Sequence, residues 1–175
     1  MATFAIYIAQ SLDGFIAADD GSVEWLDHFS SFDYGFDQFL DGVGTLVMGR
    51  RTYDQILTFG EWPYGQHPAV VVTSKPLHAM PGANVRAHHG DLKELVASLS
   101  ARDELVWIVG GAELIAGMIA AGAAPRLELH IMPILMGSGV PLWKPHATRG
   151  RYRLVRKSAY DNGVVSLNYV PMEQP

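Results

Sequence analysis

The residues of this chain best suited to chemistry fall into three short clusters: Gly49-Arg50-Arg51-Thr52, Thr73-Ser74-Lys75 and Val109-Gly110-Gly111-Ala112-Glu113. A glycine lets a ligand approach the main chain closely, and the first N–H groups of a helix carry a partial positive charge that suits phosphate. Arginine and lysine add full charges, and the planar arginine fork matches phosphate oxygens. Together the clusters offer bare backbone, hydroxyls and up to three cations. That combination suits a ligand with several phosphates, such as a dinucleotide, provided the fold brings the clusters to one place.

Each cluster ends an apolar run. Residues 45–48, 69–73 and 105–109 read as buried strands, and helix-forming residues follow the first and third at once. In an open α/β sheet, ligands sit in the crevice outside the carboxyl ends of parallel strands, so three parallel neighbours would converge their tips. Residues 3–9 form a further strand. From it the chain runs through Ser11-Leu12-Asp13-Gly14 into a segment punctuated by Gly and Asp that extends to Ser31. A loop of that length is too long to be a mere connection, and Trp25 within it is the candidate lid over a ligand. Asp33 then opens a helical pattern as N-cap or first-turn acid, with Phe36, Phe39, Leu40 and Val43 on one face.

Further along, residues 85–88 make a weak strand, residues 92–99 an amphipathic helix capped near Asp91, and an Ala-rich helix reaches about Ala121. Residues 127–132 form another strand, followed by an apolar, glycine-broken loop over 133–143. Residues 151–159 and 164–170 flank Asp161-Asn162-Gly163, and Asn-Gly is the strongest short hairpin signal. The expected fold is therefore α/β: one domain over residues 1–175, with a mixed, mostly parallel sheet flanked by helices and a C-terminal antiparallel hairpin.

With 49% hydrophobic and 18% charged residues, the 175-residue chain can fill one core, and its net charge of -5 argues against nucleic-acid or anionic-membrane surfaces. There is no cysteine, which removes thiolate catalysis, disulfides and Cys-ligated zinc. No metal is expected: His88 and His89 are adjacent, so they point to different faces, and no metal-ligand spacing accompanies them. The start has no basic leader, and its apolar run is too short to span a membrane, so a cytoplasmic protein is expected. The usual Gly-x-Gly-x-x-Gly fingerprint and the P-loop are both missing, which weighs against a standard Rossmann domain and an ATPase. Trp62, Trp107 and Trp143 read as core or interface groups.

In order along the chain, Ser11-Leu12-Asp13-Gly14, Met48-Gly49-Arg50-Arg51-Thr52-Tyr53, Thr73-Ser74-Lys75, Val109-Gly110-Gly111 and Gly137-Ser138-Gly139-Val140-Pro141-Leu142-Trp143 resemble the dihydrofolate reductase-like superfamily. The resemblance is closer to the branch shared with the C-terminal reductase domain of bifunctional riboflavin-biosynthesis enzymes. It implies NADPH binding and hydride transfer to a small heterocycle of pyrimidine or pteridine type. By this resemblance Gly49, Arg50, Arg51 and Thr52 meet the pyrophosphate and adenosine phosphate. Ser74 and Lys75, beside Thr73, lie near the 2'-phosphate. Val109, Gly110, Gly111, Ala112 and Glu113 line the pyrophosphate, and the nicotinamide rests near Ala9.

The resemblance also nominates two catalytic acids. Counting back from Met48-Gly49-Arg50 places Asp33 where dihydrofolate reductases keep the carboxylate that binds the aminopyrimidine edge; helix capping is its other reading. Asp13 lies in a turn that serves substrate binding in the riboflavin branch, and Asp before Gly is also ordinary turn chemistry. Two departures stand out. This chain has no zinc deaminase domain, and Phe15 follows Gly14 where a lysine is often expected in the phosphoribosyl-binding branch. The leading expectation is an NADPH-dependent reductase of either the dihydrofolate or the ribosylaminouracil phosphate type. Its alternative is a non-catalytic NADPH-binding protein of the same fold. A homodimer is plausible by the same resemblance, and the loop over residues 134–143 is the candidate for self-association.

Overall fold

The computed structural model describes residues 1–144 and 149–172. Its frame is an eight-stranded sheet in the order β5-β4-β3-β6-β1-β7-β10-β9. The strands are β1 (Thr3–Ser11), β3 (Val43–Gly49), β4 (Ala69–Val72), β5 (Val85–His88), β6 (Leu105–Gly110), β7 (Arg126–Met132), β9 (Tyr152–Ala159) and β10 (Val165–Pro171). A two-stranded ribbon of β2 (Phe15–Ala17) and β8 (Val140–Pro141) stands apart from it. Neighbours from β5 to β7 pair in parallel, and β10 runs antiparallel to both β7 and β9. The central strands are apolar nearly throughout because both sheet faces are covered.

Helices α1 (Phe36–Asp41) and α2 (Arg50–Ile56) place Phe39, Tyr53 and Ile56 in one core with Leu46, Met48 and Trp107. On the other face, α3 (Leu92–Ser100) and α4 (Ala112–Ala120) pack Leu95, Val96, Leu99, Leu114, Ile115 and Met118 with Ile6, Val47 and Ile108. Each such side chain contributes about 1.5–3 kcal/mol by leaving water. The Asp91 carboxylate caps α3 by accepting the Lys93 N–H at 2.6 Å.

Three sequence expectations need correction. The segment to Ser31 is not a structureless loop: it contains β2 and a 3-10 helix, Glu24–Phe29. Asp33 does not start a helix. Its Oδ1 accepts the Gly35 N–H at 2.7 Å, a local turn that postpones α1 to Phe36. Val43 belongs to β3 rather than to the helix face, because Gly42 caps α1. Trp107 is core, 4% exposed, whereas Trp143 is 40% exposed and lies outside it.

Candidate functional site

The strands that carry the three chemical clusters are adjacent and parallel, in the order β4-β3-β6, so their carboxyl ends share one edge. α2 starts at Arg50 immediately after β3, and α4 starts at Ala112 after Gly110 and Gly111. No side chain caps either helix start. Gly110 has φ +136°, a conformation open to glycine, and its peptide bond to Gly111 is cis. A Cβ at Gly111 would meet the Thr52 hydroxyl at 3.5 Å, and one at Gly49 would lie 3.7 Å from the Gly111 nitrogen. These are ordinary contacts. The fold itself therefore tolerates side chains at Gly49 and Gly111, and their bareness leaves the backbone open at the junction of two strand tips.

The neighbouring side chains divide by task. Arg50 is committed to structure: its Nε donates to Asp54 Oδ1 at 2.7 Å and its guanidinium to the Pro76 carbonyl at 2.9 Å, joining α2 to the end of β4. Arg51, Ser74 and Lys75 are exposed. Thr73 is buried, and its Oγ1 accepts the Lys75 N–H at 3.0 Å, which shapes that turn. His89 Nδ1 lies 2.6 Å from the Thr73 carbonyl. Glu113, in the first turn of α4, pairs with Lys144 at 2.9 Å, so its negative charge is offset at this edge. Val109 and Ala112 flank the two glycines, and Ala112 is buried.

Ala9 lies on β1, next to β6, with its Cα in register with His130 of β7. The two candidate acids lie on segments that flank this strand. Asp13 is exposed, but its carboxylate accepts three hydrogen bonds: from Ser11 Oγ at 2.6 Å, Met136 N–H at 3.1 Å and Gly137 N–H at 2.7 Å. The Ser11 bond first, then the loop amides, hold its pKa down to about 2. Asp33 is exposed near Tyr7, whose ionisation is suppressed chiefly by burial, with Glu128, Tyr160, Asp33 and Tyr34 adding negative potential. Trp25 lies half-buried on the 3-10 helix, where Gln55 ties the same loop to α2 by donating to the Gly21 carbonyl at 2.8 Å.

A second polar group on this face gave no sequence signal beyond a lone histidine in an apolar run. His130 is 4% exposed and its Nδ1 lies 2.6 Å from Ser166 Oγ. Its ring centroid is 4.4 Å from that of Tyr7 and 5.8 Å from that of Tyr34. Burial pushes its pKa down to about 4, so the ring is neutral at pH 7. The Tyr34 carbonyl accepts the Tyr7 hydroxyl proton at 3.2 Å, and the Tyr34 hydroxyl accepts from Asn162 Nδ2 at 2.6 Å and donates to the Phe29 carbonyl at 3.1 Å. Tyr34 also lines an open groove of about 360 Å³ formed by residues 30–34, Phe36 and Asp37.

This architecture is the dihydrofolate reductase-like fold. Residues 3–166 match the RibD C-terminal domain, and the chain belongs to that family. It is 32% identical over 168 residues to the uncharacterized protein YwjB of Bacillus subtilis (strain 168), covering 94% of this chain and 95% of that one. Among solved structures it is similar to a putative riboflavin biosynthesis protein from Shewanella sp. PV-4, with TM-score 0.84, 26% identity, and 98% and 99% of the two chains covered. A dihydrofolate reductase from Enterococcus faecalis, complexed with NADP(H) and RAB-propyl, shares the fold at TM-score 0.65 and 18% identity, covering 98% of this chain and 97% of that one. No described helix is long and apolar enough to cross a membrane, and no group of three or more described His, Asp or Glu residues is placed to hold a metal ion.

Proposed function

We propose that this protein is an NADPH-dependent reductase acting on a pyrimidine- or pteridine-type heterocycle. The observation that carries the reading is the convergence of the β3, β4 and β6 tips, where Gly49 faces the Gly110-Gly111 backbone and exposed Arg51 and Lys75 lie on the flanking segments. These residues fit a dinucleotide. Gly111 and the start of α4 offer close backbone approach and amide dipoles to the pyrophosphate. Thr52 adds a hydroxyl beside Gly111, and Lys144 offsets the Glu113 carboxylate that would otherwise oppose phosphate. Arg51, Ser74 and Lys75 supply the charge and hydroxyl that favour a 2'-phosphorylated cofactor.

When bound, NADPH supplies the hydride. The chain's part is to position and shield. Ala9, with no side chain beyond Cβ, leaves space beside β1 for a flat ring. Asp33, close enough to bias Tyr7, is the acid placed to accept N–H groups of the heterocycle, and Trp25 is the lid residue of the loop above. Asp13 serves by holding the 134–138 loop against the β1–β2 turn.

Loss of NADPH absorbance against dihydrofolate and against 5-amino-6-(5-phosphoribosylamino)uracil tests the proposal. Oxidation dependent on either substrate supports it, and tight NADPH binding with no turnover of either sinks both named activities. One feature favours the second reading, a non-catalytic NADPH binder: the Asp13 carboxylate is already filled by protein hydrogen bonds. The same assay separates the two. Leu135 and Trp143, exposed on the 134–143 loop, are the groups a second copy of the chain would cover. Light scattering that shows only monomer removes the homodimer.

A further inference from the structure

The buried pair His130–Ser166 has a hydrogen-bonding deficit that points to a ligand. Ser166 is 5% exposed, and His130 Nδ1 is the partner of its hydroxyl. A buried hydroxyl has one proton to donate, and leaving it undonated is costly, so the Ser166 O–H is directed at Nδ1. In a neutral imidazole that acceptor role puts the ring proton on Nε2. Yet Nε2 is buried and has no hydrogen-bond partner among the described residues.

The surroundings narrow the ligand. Across β1 the in-register residue is Ala9, whose side chain ends at Cβ. Tyr7, two residues earlier on the same face of β1, packs against the histidine ring. On the other side stands Tyr34, which contacts His130 and also lines the open groove. The charged groups nearby are already engaged: Arg126 and Glu128 on β7 pair at 3.3 Å, and Asp33 Oδ1 accepts from Gly35. A flat, uncharged ring with an acceptor atom is what an aromatic-walled pocket with one neutral N–H donor can select.

We infer that His130 recognises substrate, its Nε2–H donating to a carbonyl oxygen or an unprotonated ring nitrogen of a pyrimidine or pteridine that reaches it by turning the Tyr34 ring aside. This rests on the reductase reading and adds to it the donor that reads the heterocycle's edge. Ser166 is the positioning residue, fixing the tautomer that makes Nε2 a donor. Fixing it gives preference to substrates that present an acceptor there over analogues that present a donor.

The test uses NADPH-loaded protein with ¹⁵N-labelled histidine, to which dihydrofolate or 5-amino-6-(5-phosphoribosylamino)uracil is added. The His130 Nε2–H resonance is expected to move with at least one probe. His130→Phe is expected to weaken that probe's binding about tenfold, the effect of one lost hydrogen bond. NADPH affinity stays unchanged, and His130→Gln recovers part of the loss. Should His130→Phe fail to fold by circular dichroism, Ser166→Ala is the second variant: it releases the tautomer and is expected to broaden or shift the Nε2 signal and weaken the same probe. A resonance that moves with neither probe, or wild-type probe affinity in a folded variant, overturns the assignment; the Tyr7 ring face would then be the partner of this N–H. Absence of NADPH binding or oxidation is a separate readout and counts against the reductase reading, not against His130.

Discussion

The Gly137 N–H donates to the Asp13 carboxylate at 2.7 Å, closing a contact between residues 124 positions apart. Around it the Leu12 N–H donates to the Ile134 carbonyl at 2.8 Å, and the Leu142 N–H to the Gly14 carbonyl at 3.0 Å. Ser138 Oγ donates to Asp19 Oδ2 at 2.6 Å. The small β2–β8 ribbon continues the same seam. Gly139 is required where the strands meet, since with φ +144° any Cβ there would run into the Ala17 carbonyl oxygen. The glycine-rich 134–139 loop is thus fastened over the exit from β1, beside the strand that carries Ala9.

Asp13→Asn should loosen that seam without unfolding the sheet. An amide offers one acceptor oxygen in place of two and presents an NH₂ to a backbone N–H, so at least one loop bond is lost. Faster hydrogen exchange at Met136 and Gly137, with protection in β3 and β6 unchanged, is the expected result. Acid should act similarly. The carboxyl pKa is lowered from its usual 3.8 to about 2, so its contribution is intact above about pH 4 and is lost as pH falls through about 2. Equal protection of both amides in the variant and the wild type would show that the loop holds without Asp13.

Gly111→Asp should abolish NADPH binding while leaving the fold intact. The added Cβ meets the Thr52 hydroxyl at an ordinary 3.5 Å, and Gly111 has φ -81°, so the chain accepts a side chain there. A carboxylate at a phosphate seat adds repulsion on the order of several kcal/mol at an intermediate dielectric. Gly49→Ala, also sterically allowed, should weaken binding less because it adds bulk without charge. Calorimetry of each folded variant is the measurement. Unchanged affinity in Gly111→Asp would move the cofactor away from this turn.

Asp33→Asn should slow turnover while leaving NADPH affinity almost unaltered, because Asp33 lies with Tyr7 and Tyr34 rather than at the β3–β6 junction. A general acid or ion-pairing carboxylate is worth roughly 10²–10⁴-fold in rate. Steady-state kinetics beside a binding titration reads both quantities. A large loss of cofactor affinity would show that Asp33 belongs to the dinucleotide site.

The sequence reveals the cofactor edge well because each part is local: an apolar run that stops at Gly49, Thr73 or Gly110 announces a strand tip by itself. Their adjacency is a property of strand order, which depends on crossovers that no short window contains, and only the resemblance suggested it. Non-local pairing also hides the seam, since β2 is just three residues long and finds its partner in β8. Arg50 looked like a phosphate ligand, but its Asp54 partner one turn along α2 and the Pro76 carbonyl already occupy it. His130 was invisible for the opposite reason. One histidine among Leu127, Leu129 and Met132 resembles any core residue until the β7–β10 register sets Ser166 beside it.

The same histidine should imprint a pH dependence on stability. Unfolded, it takes up a proton near its usual value of 6.5, but burial lowers the folded value to about 4. Between these values the unfolded chain binds more protons, so stability falls as pH drops from about 6.5 towards about 4 and loses nothing further from this group below that. The shift corresponds to at most roughly 3 kcal/mol. Urea unfolding at about pH 7 and about pH 4.5 should therefore show a smaller loss in His130→Phe than in the wild type. That difference isolates His130 from the carboxylates, which titrate alike in both proteins, and from Asp13, whose window lies lower. Equal losses would mean that His130 takes up its proton in the folded state near the ordinary pH, and hence that the ring is far more accessible to water than its packing against Tyr7 and Tyr34 allows.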